Sequence, residues 1–304
     1  MQDLTGIYYV ENNALDRRQF LCRAGVAGLA GLSVAQPAVA ATGDAEGYGV
    51  LVDTTECIGC RKCEYACAKS NSLSDLPLEA FEDKAVFDEP RRMTADAYTV
   101  VNKYDDTERP ERPTFVKVQC MHCLKPACVS ACLVGALRPQ SNGAVTYDPW
   151  KCMGCRYCMV ACPFQVPAYE YDHPLTPKVS KCSFCFERVS KGGKAPACVD
   201  ICPPMCLTFA KRDELLSLAR TKIETHPEQY LDHVYGEHEL GGTSWLYLTS
   251  RPVTELGLME FGEKPIPEYT EPLQHGIFKH GVPPMLLFGL LAVATKMFDH
   301  KEDK

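Results

Sequence analysis

The chain has 304 residues, 18 cysteines and a formal net charge of −7, with 46% hydrophobic and 23% charged residues. That length allows one large domain or two smaller ones, and the acidic balance argues against a nucleic-acid partner, which needs a basic surface to meet phosphate. All cysteines but Cys22 and Cys206 fall into four quartets of short, repeated spacing, which a disulfide framework would not require; zinc would explain one or two quartets but not a triplet-plus-one spacing.

Residues 1–14 are a polar lead. Then Leu15–Gly25 reads L-D-R-R-Q-F-L-C-R-A-G, an apolar run follows from Ala24 to Val34, and Ala38–Ala40 reads A-V-A. A basic start, an apolar middle and small residues at the end make a secretory signal over 1–40, with cleavage expected between Ala40 and Ala41. Arg17 and Arg18 together resemble the twin-arginine export signal. Cys22 would leave with it; Phe20 and Leu21 before it are too large for a lipidation site.

Tyr48–Asp53, Y-G-V-L-V-D, reads as a short strand and delivers the first quartet, Cys57, Cys60, Cys63 and Cys67. Gly59 inside it is expected to let the backbone bend close to a cofactor. Residues 68–119 hold Asp83, Asp88, Glu89 and the polar run Asp105–Pro113, and read as an inserted surface loop suited to docking a partner. Thr114–Gln119 is a predicted strand leading to the second quartet, Cys120, Cys123, Cys128 and Cys132, whose middle gap is four residues. After a short strand at Val145–Asp148 comes the third quartet, Cys152, Cys155, Cys158 and Cys162 with Pro163. Its C-x2-C-x2-C-x3-C-P pattern is that of a bacterial iron–sulfur ferredoxin: three thiolates grip one cubane and the fourth reaches the neighbouring one.

The fourth quartet is Cys182, Cys185, Cys198 and Cys202 with Pro203, its twelve-residue gap turning at Gly192 and Gly193. Cys198 is preferred to Cys206 as third ligand because Cys198-x3-Cys202-Pro203 repeats the ending of the third quartet. Cys206 is then a buried spare thiol. Leu207–Ala210 is a predicted strand and Lys211–Lys222 a helix. The expected fold is α+β, tandem ferredoxin-like modules with loop insertions over 41–222. The second and third quartets form one pair and the first and fourth enclose it as the other.

Residues 223–276 are polar, with one strand expected in Gly241–Thr249, and read as an extended docking region. His226, His233, His238, His275 and His280 are not spaced as a haem or zinc site. Pro283–Phe298 is apolar; sixteen helical residues reach about 24 Å against about 30 Å of hydrocarbon. Extended to 277–298, with Lys279 and Lys296 snorkelling at its ends, the stretch is expected to be a C-terminal hydrophobic helix that crosses the membrane once, followed by a polar tail, 299–304. Lys296, Lys301 and Lys304 would then lie on the cytoplasmic side.

C-I-G-C-R-K-C at Cys57–Cys63, Q-C-M-H-C at Gln119–Cys123, C-M-G-C-R-Y-C-M-V-A-C-P at Cys152–Pro163 and the final apolar stretch resemble the four-cluster, ferredoxin-like iron–sulfur subunits of membrane-bound oxidoreductases. The resemblance is in particular to those of periplasmic, membrane-bound [NiFe] hydrogenases of the hydrogenase-2 type. It covers nearly the whole chain and implies four [4Fe–4S] clusters. One would be held by Cys57, Cys60, Cys63 and Cys202, and its pair by Cys182, Cys185, Cys198 and Cys67. A third would be held by Cys120, Cys123, Cys128 and Cys162, and a fourth by Cys152, Cys155, Cys158 and Cys132. Asp16 and Cys22 are looser matches to the usual twin-arginine flanks.

The implied function is electron transfer without catalysis, since no nucleophile–base pair or nucleotide-binding glycine fingerprint is present. Expected partners are the hydrogenase small and large subunits, an integral membrane quinone-reactive subunit and membrane lipid, on the periplasmic face of the inner membrane. The alternatives are the same wire serving a molybdopterin catalytic subunit for formate, polysulfide or a similar substrate, and a subunit that chiefly anchors its complex.

Overall fold

The computed structural model describes residues 47–106, 109, 111–172, 178–273, 285–293 and 295, all within the unit Ala40–Lys304. The expected signal segment, 1–40, lies outside the described residues. Strand β1 (Tyr48–Asp53) leads into the first quartet and helix α1 (Lys62–Ser70), which carries Cys63 and Cys67. Strands β2 (Thr99–Tyr104) and β3 (Thr114–Gln119) pair antiparallel, with Val100 opposite Val118. Helix α2 (Ala127–Ser130), the hairpin β4 (Leu137–Pro139)–β5 (Val145–Tyr147) and helix α3 (Tyr157–Ala161) join the second quartet to the third. A two-stranded ribbon, β6 (Ala168–Tyr169) and β7 (Val179–Ser180), precedes the fourth quartet. That quartet brackets α4 (Phe186–Gly192), which Cys185 precedes, and α5 (Ala197–Asp200), which holds Cys198. Strand β8 (Leu207–Lys211), helix α6 (Arg212–Thr225), strand β9 (Val234–Tyr235) and strand β10 (Trp245–Leu248) follow.

The main sheet runs β8-β1-β10-β9, with β1 parallel to β10 and antiparallel to β8. Both of its faces are covered, and the period-2 alternation of side chains divides its residues between them. Val50, Val52, Trp245 and Tyr247 enter the core that also holds Cys198, Cys206 and Phe184. Leu51, Leu246 and Leu248 face the other way and pack with Leu215, Ala219 and Ile223 of α6. Those three residues recur every four positions, one stripe of a helix. Asp213 and Glu214 in its first turn and Lys222 in its last complement the helix dipole.

Two segments differ from their sequence-based reading. The 68–119 insertion begins as the expected surface loop, with no buried residue in the turns Leu78–Phe81 and Ala85–Phe87. It ends as core: Val100 and Val101 of β2 are buried. Segment 223–276 supplies β10, an interior strand whose four residues are wholly buried, because W-L-Y-L has apolar side chains for both covered faces. Among the described residues no helix is long and apolar enough to cross a membrane. Of the expected span 277–298, the described residues 285–293 and 295 are helical, and their described side chains are exposed; the rest lies outside the described residues.

Leu215 is completely buried between α6 and the sheet. Leu215→Ala should cost about 2–5 kcal/mol and lower the midpoint of thermal loss of circular dichroism. Leu218→Ala, on the same helix but 37% exposed, should stay within about 0.5 kcal/mol of the parent.

Candidate metal centre

The cysteine loops are built on left-handed backbone. Between Cys57 and Cys63 the chain turns at Gly59 (φ 64°) and Arg61 (φ 60°), and between Cys152 and Cys158 at the equivalent Gly154 (φ 73°) and Arg156 (φ 60°). The second and fourth quartets turn at His122 (φ 48°) and at Phe184 and Cys185 (φ 57° and 45°). A side-chain-bearing residue in this region costs roughly 1–2 kcal/mol, so its surroundings must hold it. Arg61 is held by Glu64 at 3.0 Å and by the carbonyl of Asp83 at 2.9 Å. Arg156 stacks over Tyr169, 5.0 Å from the ring centroid. At Gly59 a Cβ would stand 2.4 Å from the Phe115 ring, so Phe115 demands the glycine.

A further left-handed turn recurs three residues past Cys132, Cys162 and Cys202, at Gly135, Gln165 and Met205. Each donates its N–H back to that cysteine's carbonyl, at 3.3, 3.0 and 3.2 Å. Leu133 follows Cys132 where Pro163 and Pro203 follow the other two, so proline is not what makes the turn. Backbone N–H groups also meet sulfur directly: Ala136 donates to Cys132 Sγ at 3.2 Å, Gly154 to Cys152 Sγ and Phe184 to Cys182 Sγ, both at 3.4 Å.

The thiols gather across quartets rather than within them. A cavity is lined by Cys57, Cys60, Cys63 and Cys202, with Lys117 and Cys206 on its wall. Burial pushes the Cys67 thiol well above its ordinary value, and neighbouring Cys182, Cys198 and Cys185 push it the same way. Burial also raises Cys123 well above its usual range, helped by Cys120, Cys128 and Cys162 beside it. Cys158 is pushed up to about 11 by burial and then by Cys152, Cys132 and Cys155. In each of these neighbourhoods a thiol of one quartet stands beside thiols of another. The backbone reason is that α1 packs on α5 and α2 packs on α3, so each helix end is delivered to its partner's loop. Among the described residues no three His, Cys, Asp or Glu side chains converge as they would on a single metal ion; a cubane has separate irons, and its thiolates stand around it.

Residues 112–212 match the family model described as a 4Fe-4S dicluster domain. The chain is 46% identical over 290 residues to a protein of Nitratidesulfovibrio vulgaris, covering 93% of this chain and 78% of that one. It is 32% identical over 276 residues to the hydrogenase-2 operon protein HybA of Escherichia coli, covering 82% and 84% of the two chains. It is 34% identical over 203 residues to the iron–sulfur subunit of the nitrate-inducible formate dehydrogenase of Escherichia coli, covering 65% and 66%. The chain belongs to the iron–sulfur subunits of oxidoreductase complexes. Its fold is accordingly α+β with a ferredoxin-type 4Fe-4S domain, and its cofactors are [4Fe–4S] clusters.

The interior of this iron–sulfur subunit fits such groups. His122 Nε2 and Trp245 Nε1 are buried donors with no partner among the protein atoms, and cluster sulfur is an acceptor of that kind. Burial raises Cys182 to about 12 and Cys162 to about 11, so these thiols stay neutral at pH 7 until iron takes the proton's place.

Spacing alone did not reveal three contributors. Cys206 is not merely spare: its Sγ lies 3.4 Å from that of Cys202, and its hydrogen bond brings Cys202 down to about 6. Lys117 is a buried cation on β3 beside the first cavity. Glu64 clamps α1 to the insertion through Arg61 at 3.0 Å, Arg91 at 2.5 Å and the Val101 N–H at 2.6 Å. Only a charged residue inside a cysteine loop hinted at it. Glu64→Gln leaves Arg61 buried without its counter-charge, which should cost about 3–5 kcal/mol. The melting temperature should fall and iron should be lost during gel filtration, whereas exposed Glu79→Gln should retain both.

Proposed function

We propose that this subunit relays electrons through four [4Fe–4S] clusters between a periplasmic [NiFe] hydrogenase and a membrane quinone-reactive subunit. The observation that carries the reading is that thiols of different quartets stand side by side, as Cys202 does on the cavity of Cys57, Cys60 and Cys63. In this proposal Cys57, Cys60, Cys63 and Cys202 hold one cluster and Cys67, Cys182, Cys185 and Cys198 the next. Cys120, Cys123, Cys128 and Cys162 hold a third, and Cys132, Cys152, Cys155 and Cys158 a fourth. When bound, the clusters take up and release one electron at a time. The protein's part is to hold them in line, keep water from the buried thiolates and aim N–H groups at sulfur. The subunit itself is not a catalyst.

The hydrogenase assignment is favoured by the HybA relative, which this chain matches over most of both lengths. The formate dehydrogenase relative supports a second reading, in which a molybdopterin subunit supplies the electrons, but it is matched over a shorter stretch. The outermost group supports contact with another subunit. Cys155 is exposed, and near it in the chain Trp150 is 97% exposed and Val160 85%. Met153 and Tyr157 between them are exposed as well, and such a concentration of exposed apolar side chains suits a protein interface. Arg17 and Arg18 ahead of the apolar run support export of the folded, loaded protein, and the apolar stretch within 277–298 supports anchoring in the membrane.

A chain cut after Gly276 should keep its clusters, detach from the membrane fraction and lose hydrogen-dependent quinone reduction, while hydrogen oxidation with a soluble dye persists. Full quinone reduction by the cut chain would remove the anchor from the proposal. Formate-dependent but not hydrogen-dependent reduction of the native clusters would favour the second reading.

A further inference from the structure

Lys117 sits on β3 with 2% of its surface exposed. Its Nζ donates to Gln119 Oε1 at 2.8 Å and lies 4.4 Å from the centroid of the Trp245 ring. The arrangement is closed on itself: Gln119 Nε2 donates to the Tyr247 hydroxyl at 2.7 Å, and that hydroxyl donates to the Lys117 carbonyl at 2.8 Å. The side chain is therefore held in one place. Among the described residues no Asp or Glu lies within ion-pair distance of its Nζ. The groups that act on it electrostatically include Cys198, Cys63 and Cys182, ahead of the Tyr247 hydroxyl already bonded into its ring of contacts.

A buried ammonium without a counter-charge is strongly unfavourable. Among the described residues the thiols, and what they hold, are the leading source of the missing negative charge. Lys117 lines the cavity of Cys57, Cys60, Cys63 and Cys202, and it also feels Cys182 and Cys198 of the neighbouring group. It stands between these two thiol groups. A positive charge held in a medium of low dielectric lowers the energy of an added electron at short range and much less at long range.

We propose that Lys117 is a redox-tuning residue, a cation shared by the two clusters of the Cys57 and Cys182 groups that makes both easier to reduce and so retains electrons on that pair. This rests on the ligand groups proposed above. Each oxidised cluster gains one electron, which the hydrogenase partner proposed above loses, with no bond made or broken in this subunit and no proton required, and the ammonium offsets the added negative charge on either member of the pair.

The test is an electron-paramagnetic-resonance redox titration of the purified intact complex. Lys117→Met keeps the volume and removes the charge. It should shift the reduction equilibrium of two centres toward the oxidised form by about tenfold, which is about 59 mV for one electron, and leave the other two unchanged. Lys117→Arg should keep all four near their native values. Gln119→Glu places a carboxylate against the ammonium and should shift the same two centres in the same direction; it decides the matter if Lys117→Met fails to assemble. Unchanged potentials in the assembled charge-cancelling variants would overturn the proposal, as would an equal shift of all four centres. An arginine variant that shifts as far as the methionine one would show that packing, not charge, is at work. Native complex carrying fewer than four centres would instead defeat the ligand groups on which the proposal rests.

Discussion

Two helix contacts carry the design. Helix α1 leaves the first triplet and packs on α5 of the fourth quartet, and α2 of the second packs on α3 of the third. Each contact brings the last cysteine of one quartet to the triplet of another. No thiol group can therefore be completed locally; each waits for a contact between distant parts of the chain. For the outer pair that contact also requires the main sheet, in which β1, ahead of the first quartet, hydrogen-bonds to β8, just beyond the fourth. Because the unfolded chain has no such site, cofactor binding and folding share one free energy.

The interior so formed is unusual in its charges. Burial holds eight of the described thiols above their ordinary range, whereas hydrogen bonds, that of the Cys206 side chain foremost, pull Cys202 and Cys57 the other way. Buried donors at His122 and Trp245 point at no protein acceptor. Lys181, 5% exposed, is held by the Val145 carbonyl and by that of Cys182 at 3.0 Å. A core with spare donors and cations is poor on its own and well matched to anionic, sulfur-rich guests. The same low dielectric makes small placements of charge effective over a few ångströms.

Much of this was legible in the residues. The C-x2-C triplets mark the loops, and Thr114–Gln119 is the strand the alternation predicts. The helix expected at Lys211–Lys222 is Arg212–Thr225. Local pattern could not reveal Trp245–Leu248 as an interior strand, because β1, the neighbour that makes it interior, lies far away in the chain and its flanks are polar. Nor could it show that the insertion ends as buried β2, since Val100 and Val101 depend on pairing with β3 and on Glu64 reaching the Val101 N–H. Lys117 was hidden for a related reason. A lysine in a strand reads as a solvent-facing residue until the tertiary fold places Trp245 beneath it.

The crossing of thiols between quartets is the claim on which the relay stands. It is tested most directly by comparing the spectra of Cys132→Ser, Cys155→Ser and Cys128→Ser in the intact complex. The account predicts that Cys132→Ser and Cys155→Ser alter the same paramagnetic signal and that Cys128→Ser alters another. If Cys132→Ser instead perturbs the signal changed by Cys128→Ser, each quartet serves its own centre and the account is wrong.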